Sequence, residues 1–240
     1  MSLLADKTVA VTGGARGIGA GIVRRFDAEG ARGVVLDVLP AELPPGWTSH
    51  LVDVRDDDAV ATAFGTLGTI DVLVAAAGIV PGWRGVAELD LDEWDDVFAV
   101  NVRGIASTIK HARLGHGGTI VAIGSLNSWR GDPNLTTYVA TKHAVLGIVR
   151  SAALDLGRHG VRVNAIGPGP IATEALIERV KRRELERGIP VEEALAAFAR
   201  QTALGRIATV DEVAAAALFL ASDLSSGVTG HLIPVDAGIA

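Results

Sequence analysis

The chain has 240 residues, 22 basic against 28 acidic side chains, and a formal net charge of −6. Hydrophobic residues make up 49% and aromatics only 4%, so Ala, Val, Leu and Ile must fill a large core. The absence of cysteine excludes disulfides, thiolate nucleophiles and iron–sulfur clusters, the histidines take no metal-ligand spacing, and no basic run suits a nucleic-acid backbone.

Only a few apolar residues precede Asp6 and Lys7, so no signal peptide is expected. Apolar runs such as Val72–Val80 stop far short of the ~20 residues that span a bilayer. These features predict a soluble cytoplasmic protein with no membrane partner. The first strand, Thr8–Thr12, leads into a glycine-rich turn and a helix over Gly19–Glu29. Gly33–Asp37 and Leu51–Val54 follow as strands around the Pro-rich turn Pro40–Gly46, then a helix over Asp56–Phe64. Asp71–Ala77 reads as the fourth strand, Leu91–His111 as one long helix, and Thr119–Ile123 as the fifth strand. A helix over Tyr138–His159 precedes the sixth strand, Val161–Ile166. Glu174–Arg206 is a charged helical insertion interrupted by Gly188-Ile189-Pro190. A helix over Val210–Ala221 and a strand over His231–Val235 close the chain.

Most of these strands are continuously apolar, as parallel strands buried on both faces are. Alternation of β and α elements predicts an α/β fold with a parallel sheet covered by helices. No repeat or composition shift divides the chain, so residues 1–240 are expected to form one domain. The insertion at 174–206 is either a solvated helical pair or a lid over a substrate pocket, and its place after a strand's carboxyl end favours the lid.

The turn after the first strand is Thr12-Gly13-Gly14-Ala15-Arg16-Gly17-Ile18-Gly19. Glycines there let the backbone turn sharply and approach a pyrophosphate at a helix N-terminus. Asp37 closes the second strand eighteen residues after Gly19. Its carboxylate can accept both hydrogen bonds of an adenosine ribose and repel a 2′-phosphate, which favours NAD over NADP. The alternative for Asp37 is a turn-starting aspartate, and Arg16 is a counter-signal that suits a 2′-phosphate. Asp53 either meets the adenine, with Val54 beside it, or caps the following helix.

Tyr138 and Lys142 are four apart at the start of a helix and therefore share a face. An ammonium beside a phenol stabilises the phenolate and lowers its pKa, giving an acid/base for an alcohol or carbonyl oxygen. Tyr138 is the only tyrosine. Ser125 follows the fifth strand at the carboxyl edge of the sheet, where open α/β folds bind ligands, with Ser128 as its decoy. Asn101 is a poor helix former in an apolar setting. It either satisfies a backbone carbonyl or holds a water for proton relay.

Taken together, these residues resemble the short-chain dehydrogenase/reductase family over essentially the whole chain, from Thr12 to Val235-Asp236-Ala237-Gly238. TGGARGIG is similar to the family's TGxxxGxG loop, which implies that Gly13, Gly17, Ile18 and Gly19 meet the phosphates. Asn101, Ser125, Tyr138 and Lys142 match its catalytic tetrad in order and spacing. Pro168-Gly169 with Ile171 and Thr173 resembles the segment that fixes the nicotinamide. Departures are Ala75-Ala76-Ala77-Gly78 in place of NNAG, with Ala77 and Gly78 still able to offer backbone contacts, and VDAG in place of VDGG. The link from Asn101 to Ser125 also looks short, with Gly115–Gly118 doing the turning.

The resemblance implies a three-layer Rossmann-type, doubly wound fold with a seven-stranded parallel sheet, an NAD cofactor and a homotetramer. It implies Tyr138 as acid/base, Ser125 orienting the substrate oxygen, and Lys142 lowering the tyrosine pKa and binding the nicotinamide ribose. Asn101 would hold the connecting water. The apolar last helix and C-terminal strand are expected at a subunit contact. Trp83, Trp129, Leu176, Ile177 and Val180 are candidates for an apolar pocket wall, the alternative for both tryptophans being simple loop cover. No Arg or Lys is clearly aimed at a substrate carboxylate, Arg84 and Arg130 being the candidates, so a small neutral secondary alcohol or ketone is expected. A redox-neutral epimerase or lyase and a non-catalytic dinucleotide sensor are the competing readings.

Overall fold

The computed structural model describes residues 2–239, apart from the side chains of residues 186 and 187. Its centre is a seven-stranded parallel sheet in the order β3-β2-β1-β4-β5-β6-β7. The strands are β1 Thr8–Thr12, β2 Arg32–Asp37, β3 Trp47–Leu51, β4 Ile70–Ala75, β5 Leu114–Ile123, β6 Arg162–Pro168 and β7 Leu232–Val235. The chain leaves β1 in one direction and returns to its other side with β4, so the strand order reverses there. Thr12 is level with Leu36 of β2 and Ala75 of β4. The turns after all three strands therefore open at one point on the carboxyl edge, where open α/β sheets bind ligands.

Alternate strand residues feed two separate cores, as the pleat requires. Val9, Val11, Val35, Val74 and Val121 face helices α1 (Gly17–Ala28) and α8 (Val210–Ala221), meeting Ile22, Phe26, Val213 and Leu220. Ala10, Val34, Leu73, Ile120 and Val163 face the other side, where α2 (Asp57–Leu67), α4 (Ile105–His111) and α5 (Thr136–Gly157) contribute Val60, Phe64, Ile105, Val145 and Val149. Between α2 and α4 lies α3 (Leu91–Phe98). The insertion after β6 is two helices, α6 (Glu174–Arg187) and α7 (Val191–Arg200), and Gly188 ends α6 in the left-handed region at φ +68°. The break falls where Gly188-Ile189-Pro190 predicts it. No described helix is long and apolar enough to cross a membrane.

Three features differ from the sequence expectation. The third strand is Trp47–Leu51, not Leu51–Val54. It is a sheet edge paired only to β2, and four of its five residues are exposed, so it carries no apolar run. Val52 and Val54 are buried just beyond it. The helix expected over Leu91–His111 is interrupted by a π-helical turn, Ala99–Gly104, between α3 and α4. Strand β5 begins at Leu114, and its register with β4 jumps from Ile70↔Leu114 to Val72↔Thr119. Gly115–Gly118 is thus absorbed as a bulge. The buried face of α8 packs within its own chain against α1 and the sheet.

Candidate active site

Strand β1 delivers the chain into the glycine turn, and α1 begins at Gly17. Gly13 has φ +68°, and a Cβ there would sit 2.6 Å from the backbone of Ala77. A Cβ on Gly19 would land on the Gly13 carbonyl oxygen. The two glycines therefore let the turn close against β4 and against itself. Arg16, the N-cap of α1, makes no side-chain cap, and no acidic residue occupies the first turn. The leading N–H groups and the positive end of the helix dipole are left for an anion.

Above this turn lies a crevice of about 430 Å³. Its walls include Gly13, Arg16, Gly17, Ile18, Gly19, Asp37, Asp53, Val54, Ala77, Gly78, Tyr138, Lys142 and Thr173. Three residues expected at the nicotinamide lie outside these walls. Pro168 ends β6, Gly169 packs against Asp236 and donates its N–H to Val235 at 3.1 Å, and Ile171 is buried in a bridge to Ala208. Asp37 accepts from the N–H of Ala15 at 2.9 Å and of Leu39 at 3.0 Å. It thus ties the glycine turn to the end of β2, a role not visible in the sequence. The Asp53 carboxylate is held by Arg55, at 2.9 and 2.7 Å to Nε and Nη2, and that hydrogen bonding keeps its pKa below the ordinary value.

The cap of α2 is Asp56, whose side chain accepts from Asp58 and Ala59, so Asp53 is not the cap. Asp56→Ala is expected to lower the unfolding free energy by about 1 kcal/mol, read from the urea midpoint at unchanged slope. Removal of the exposed Asp53–Arg55 pair should move it much less.

Strand β5 ends at Ile123 and releases Ser125 as the N-cap of a short 3₁₀ turn, Leu126–Ser128. Ser125 Oγ accepts from Asn127 N at 3.1 Å, while Ser128 Oγ accepts from Ser125 N at 3.2 Å. Ser128 is therefore the structural serine. The Ser125 hydroxyl is a polar neighbour of the Tyr138 phenol and acts to lower its pKa. Lys142, one turn further along α5, is buried, lies 5.5 Å from the Tyr138 ring centroid and donates to Ile123 O at 2.8 Å. Asn101 sits fully buried in the π turn. Its Oδ1 accepts from Ile79 N at 2.8 Å, and its Nδ2 donates to Ile79 O at 2.9 Å and Thr141 Oγ1 at 3.3 Å. Thr141 in turn donates to the Tyr138 carbonyl at 2.8 Å. These bonds are the backbone-satisfying role, and they leave one lone pair on Oδ1.

Burial pushes the Tyr138 phenol above its ordinary pKa, against opposing pulls from the Ser125 hydroxyl and the charge of Arg179. This reverses the direction expected from the sequence. The Lys142 ammonium is directed at the Ile123 carbonyl, and burial lowers its own pKa to about 8.

A family model described as enoyl-(acyl carrier protein) reductase matches residues 13–240. The chain is 38% identical to the (−)-isopiperitenol/(−)-carveol dehydrogenase of Mentha piperita, named as mitochondrial, over 98% of this chain and 94% of that protein. It is 36% identical to a (+)-cis,cis-nepetalactol synthase of Nepeta racemosa, over 98% and 92%. The ligand-free aldohexose dehydrogenase of Thermoplasma acidophilum superposes with a TM-score of 0.90 at 32% identity, over 99% of this chain and 95% of that one. The chain belongs to the short-chain dehydrogenase/reductase family. This family uses nicotinamide dinucleotides, and the crevice suits one: a Cβ-free turn at a helix N-terminus for the pyrophosphate, with Asp37 at one end and Tyr138 at the other.

Helix α6 of this dehydrogenase/reductase chain holds two arginines that the sequence reading missed, Arg179 and Arg183, beside the wall candidates Leu176 and Val180. Leu176, Arg179, Val180 and Arg183 form an i, i+3, i+4, i+7 stripe along α6, and each is at least partly buried. Arg179 stacks on Trp83 at 4.0 Å from the ring centroid, so Trp83 is a platform for cations rather than a plain apolar wall. Trp129 is 44% exposed and covers Gly167. Arg84 pairs with Glu93 at 3.3 Å. The stripe itself was the available signal, because helical spacing puts both arginines on the face of the buried Val180.

Proposed function

We propose that this protein is an NAD-dependent oxidoreductase that interconverts a secondary alcohol and its ketone, with Tyr138 as acid/base. One observation carries the reading: the Lys142 ammonium lies 5.5 Å from the Tyr138 ring, both side chains in the wall of a glycine-floored crevice, with Ser125 beside the phenol. The domain spans residues 1–240, with 174–206 as substrate lid, and acts as a homotetramer. Exposed Leu154 on α5 is among the side chains a second copy would cover.

Gly13, Gly17, Ile18 and Gly19 would hold the pyrophosphate, Asp37 the adenosine ribose, and Lys142 the nicotinamide ribose. When bound, the nicotinamide supplies the hydride acceptor for oxidation or the hydride donor for reduction. Ser125 orients the substrate oxygen and donates to it as negative charge develops there. Tyr138 Oη takes the hydroxyl proton in oxidation and returns it to the ketone oxygen in reduction. The ammonium of Lys142 favours the phenolate. Asn101 and Thr141 hold the Ile79 and Tyr138 backbones in register, and the free lone pair of Asn101 suits a relay water. Reduced-nicotinamide absorbance followed over a set of secondary alcohols and ketones, with NAD and with NADP, tests this reading.

The NAD preference rests on Asp37, with Val38 beside it in the crevice wall. Asp37→Asn keeps an acceptor for the turn but removes the charge. It is expected to lower kcat/KM for NAD by roughly 10–100-fold and to raise it for NADP, to which Arg16 then becomes available. Unchanged cofactor preference in steady-state rates would remove Asp37 from the selection. The nepetalactol synthase relative favours one alternative, a redox-neutral reaction. Substrate consumption without any absorbance change would select it.

A further inference from the structure

The lid places a charged group beside the reaction centre that the mechanism above does not use. The Arg179 guanidinium lies 4.0 Å from the centroid of the Trp83 ring, and Arg183, one turn along α6, lies 5.2 Å from the same centroid. Stacking on an aromatic face fixes the plane of a guanidinium. Nη2 of Arg179 is sealed from solvent and has no hydrogen-bond partner. Buried polar groups are rarely left in that state, least of all charged ones.

The charges that Arg179 feels are the Tyr138 phenol, the Asp132 carboxylate and the like charge of Arg182. Asp132 is bonded to Asn127 at 3.4 Å. Among the described residues, no carboxylate comes within ion-pair distance of Arg179, Lys181, Arg182 or Arg183, in contrast to the paired Arg55, Arg84 and Arg206. Neither Arg179 nor Trp83 belongs to the crevice wall, which on this side consists of Thr173, Glu174, Ala175 and Tyr138. The guanidinium is therefore not part of the crevice wall that holds the glycine turn and is not a ligand for the pyrophosphate.

We infer that Arg179 anchors a carboxylate of the substrate, so that the alcohol is a hydroxy acid and the ketone the matching keto acid. This rests on the oxidoreductase reading and replaces the neutral substrate expected from the sequence. The carboxylate accepts from Nη2 and its neighbouring N–H in the forked geometry that guanidinium and carboxylate share, while the carbinol oxygen meets Ser125 and Tyr138. In oxidation the carbinol carbon loses a hydride to the dinucleotide and its hydroxyl loses a proton to Tyr138. The C–O bond becomes a double bond and the carboxylate is unchanged.

The test compares 3-hydroxybutanoate and 4-hydroxypentanoate with their methyl esters, in the wild type and in Arg179→Met and Arg179→Lys. Binding of acetoacetate, 4-oxopentanoate and their methyl esters to the NAD-loaded proteins is measured alongside by calorimetry. The wild type is expected to prefer an acid over its ester. Arg179→Met should lose about 100-fold in kcat/KM on the acid and less than about threefold on the ester, with NADH affinity unchanged. The lysine variant, which keeps the charge but not the fork, should fall between and reads the same contrast if the methionine variant does not fold. Equal losses on acid and ester would mean that Arg179 acts on the phenol, and would overturn the proposal. So would a wild type that turns over esters and neutral alcohols but no acid. Should no alcohol be turned over, the oxidoreductase reading fails by itself. The calorimetry then decides: keto-acid binding lost in Arg179→Met upholds the anchor, and its absence from the wild type overturns it.

Discussion

Tyr138→Phe is expected to lower kcat by about 10²–10⁴-fold while leaving NADH affinity within about twofold, because it deletes a group needed only where a proton moves. The change removes one oxygen and keeps the ring that packs at the crevice wall. Ser125 keeps the Asn127 N–H. Thr141 still donates to the backbone carbonyl of residue 138, so the helix start and the Asn101 network are undisturbed. The cost to folding is at most one neutral hydrogen bond, roughly 1 kcal/mol. Because Tyr138 is the only tyrosine in the chain, no second phenol can stand in. Initial rates with the best alcohol, set beside a fluorescence titration with NADH, separate chemistry from binding. A variant retaining more than about a tenth of wild-type kcat would show that another group moves the proton.

What the sequence disclosed follows from the physics of its signals. Central strands buried on both faces, such as β1 and β4, are apolar throughout, so they read at once. The turn after β1 was legible because its glycines have steric causes, the contacts with Ala77 and with the Gly13 carbonyl. Ser125, Tyr138 and Lys142 stood out because α5 places the last two on one face beside the end of β5. Strand β3 escaped because an edge strand facing solvent needs no apolar alternation. The π turn at Ala99–Gly104 escaped because it lies inside a continuous helical run, with α3 before it and α4 after it. Only Asn101, buried and bonded to Ile79 across the crevice floor, hinted that something interrupts the helix there, and π turns gather at functional sites. The Tyr138 shift was misjudged because charge proximity was visible in the spacing while desolvation was not. Arg179 was hidden for a related reason. In a run of charged residues, nothing but the phase of the helix separates the arginine that turns inward from those that face water.

Lys142→Met carries the second large effect, and pH gives it a sign. Replacing the ammonium with a chain of similar length removes a fixed charge beside the developing phenolate, and kcat is expected to fall by about 10²–10³-fold. In the folded protein burial lowers the lysine pKa from 10.5 to about 8. Between these values the unfolded chain holds a proton that the native state has released, so wild-type stability must rise with pH across this window. Below pH 8 both states carry the charge, and the penalty for burying it is fully present. From pH 8 to 10 the wild type should therefore gain roughly 2 kcal/mol relative to Lys142→Met, measured as the difference between their urea unfolding free energies. Tyr138 does not blur this interval, since its folded phenol is held above 10 and the unfolded one ionises only at the upper limit. The same titration should appear in turnover as a loss of wild-type kcat above pH 8, when the neutral amine no longer favours the phenolate, and that limb should be absent from the methionine variant. If the two unfolding curves run parallel from pH 8 to 10, the amine keeps its proton inside the fold. The Ile123 carbonyl at 2.8 Å would then be holding the ammonium more strongly than burial disfavours it.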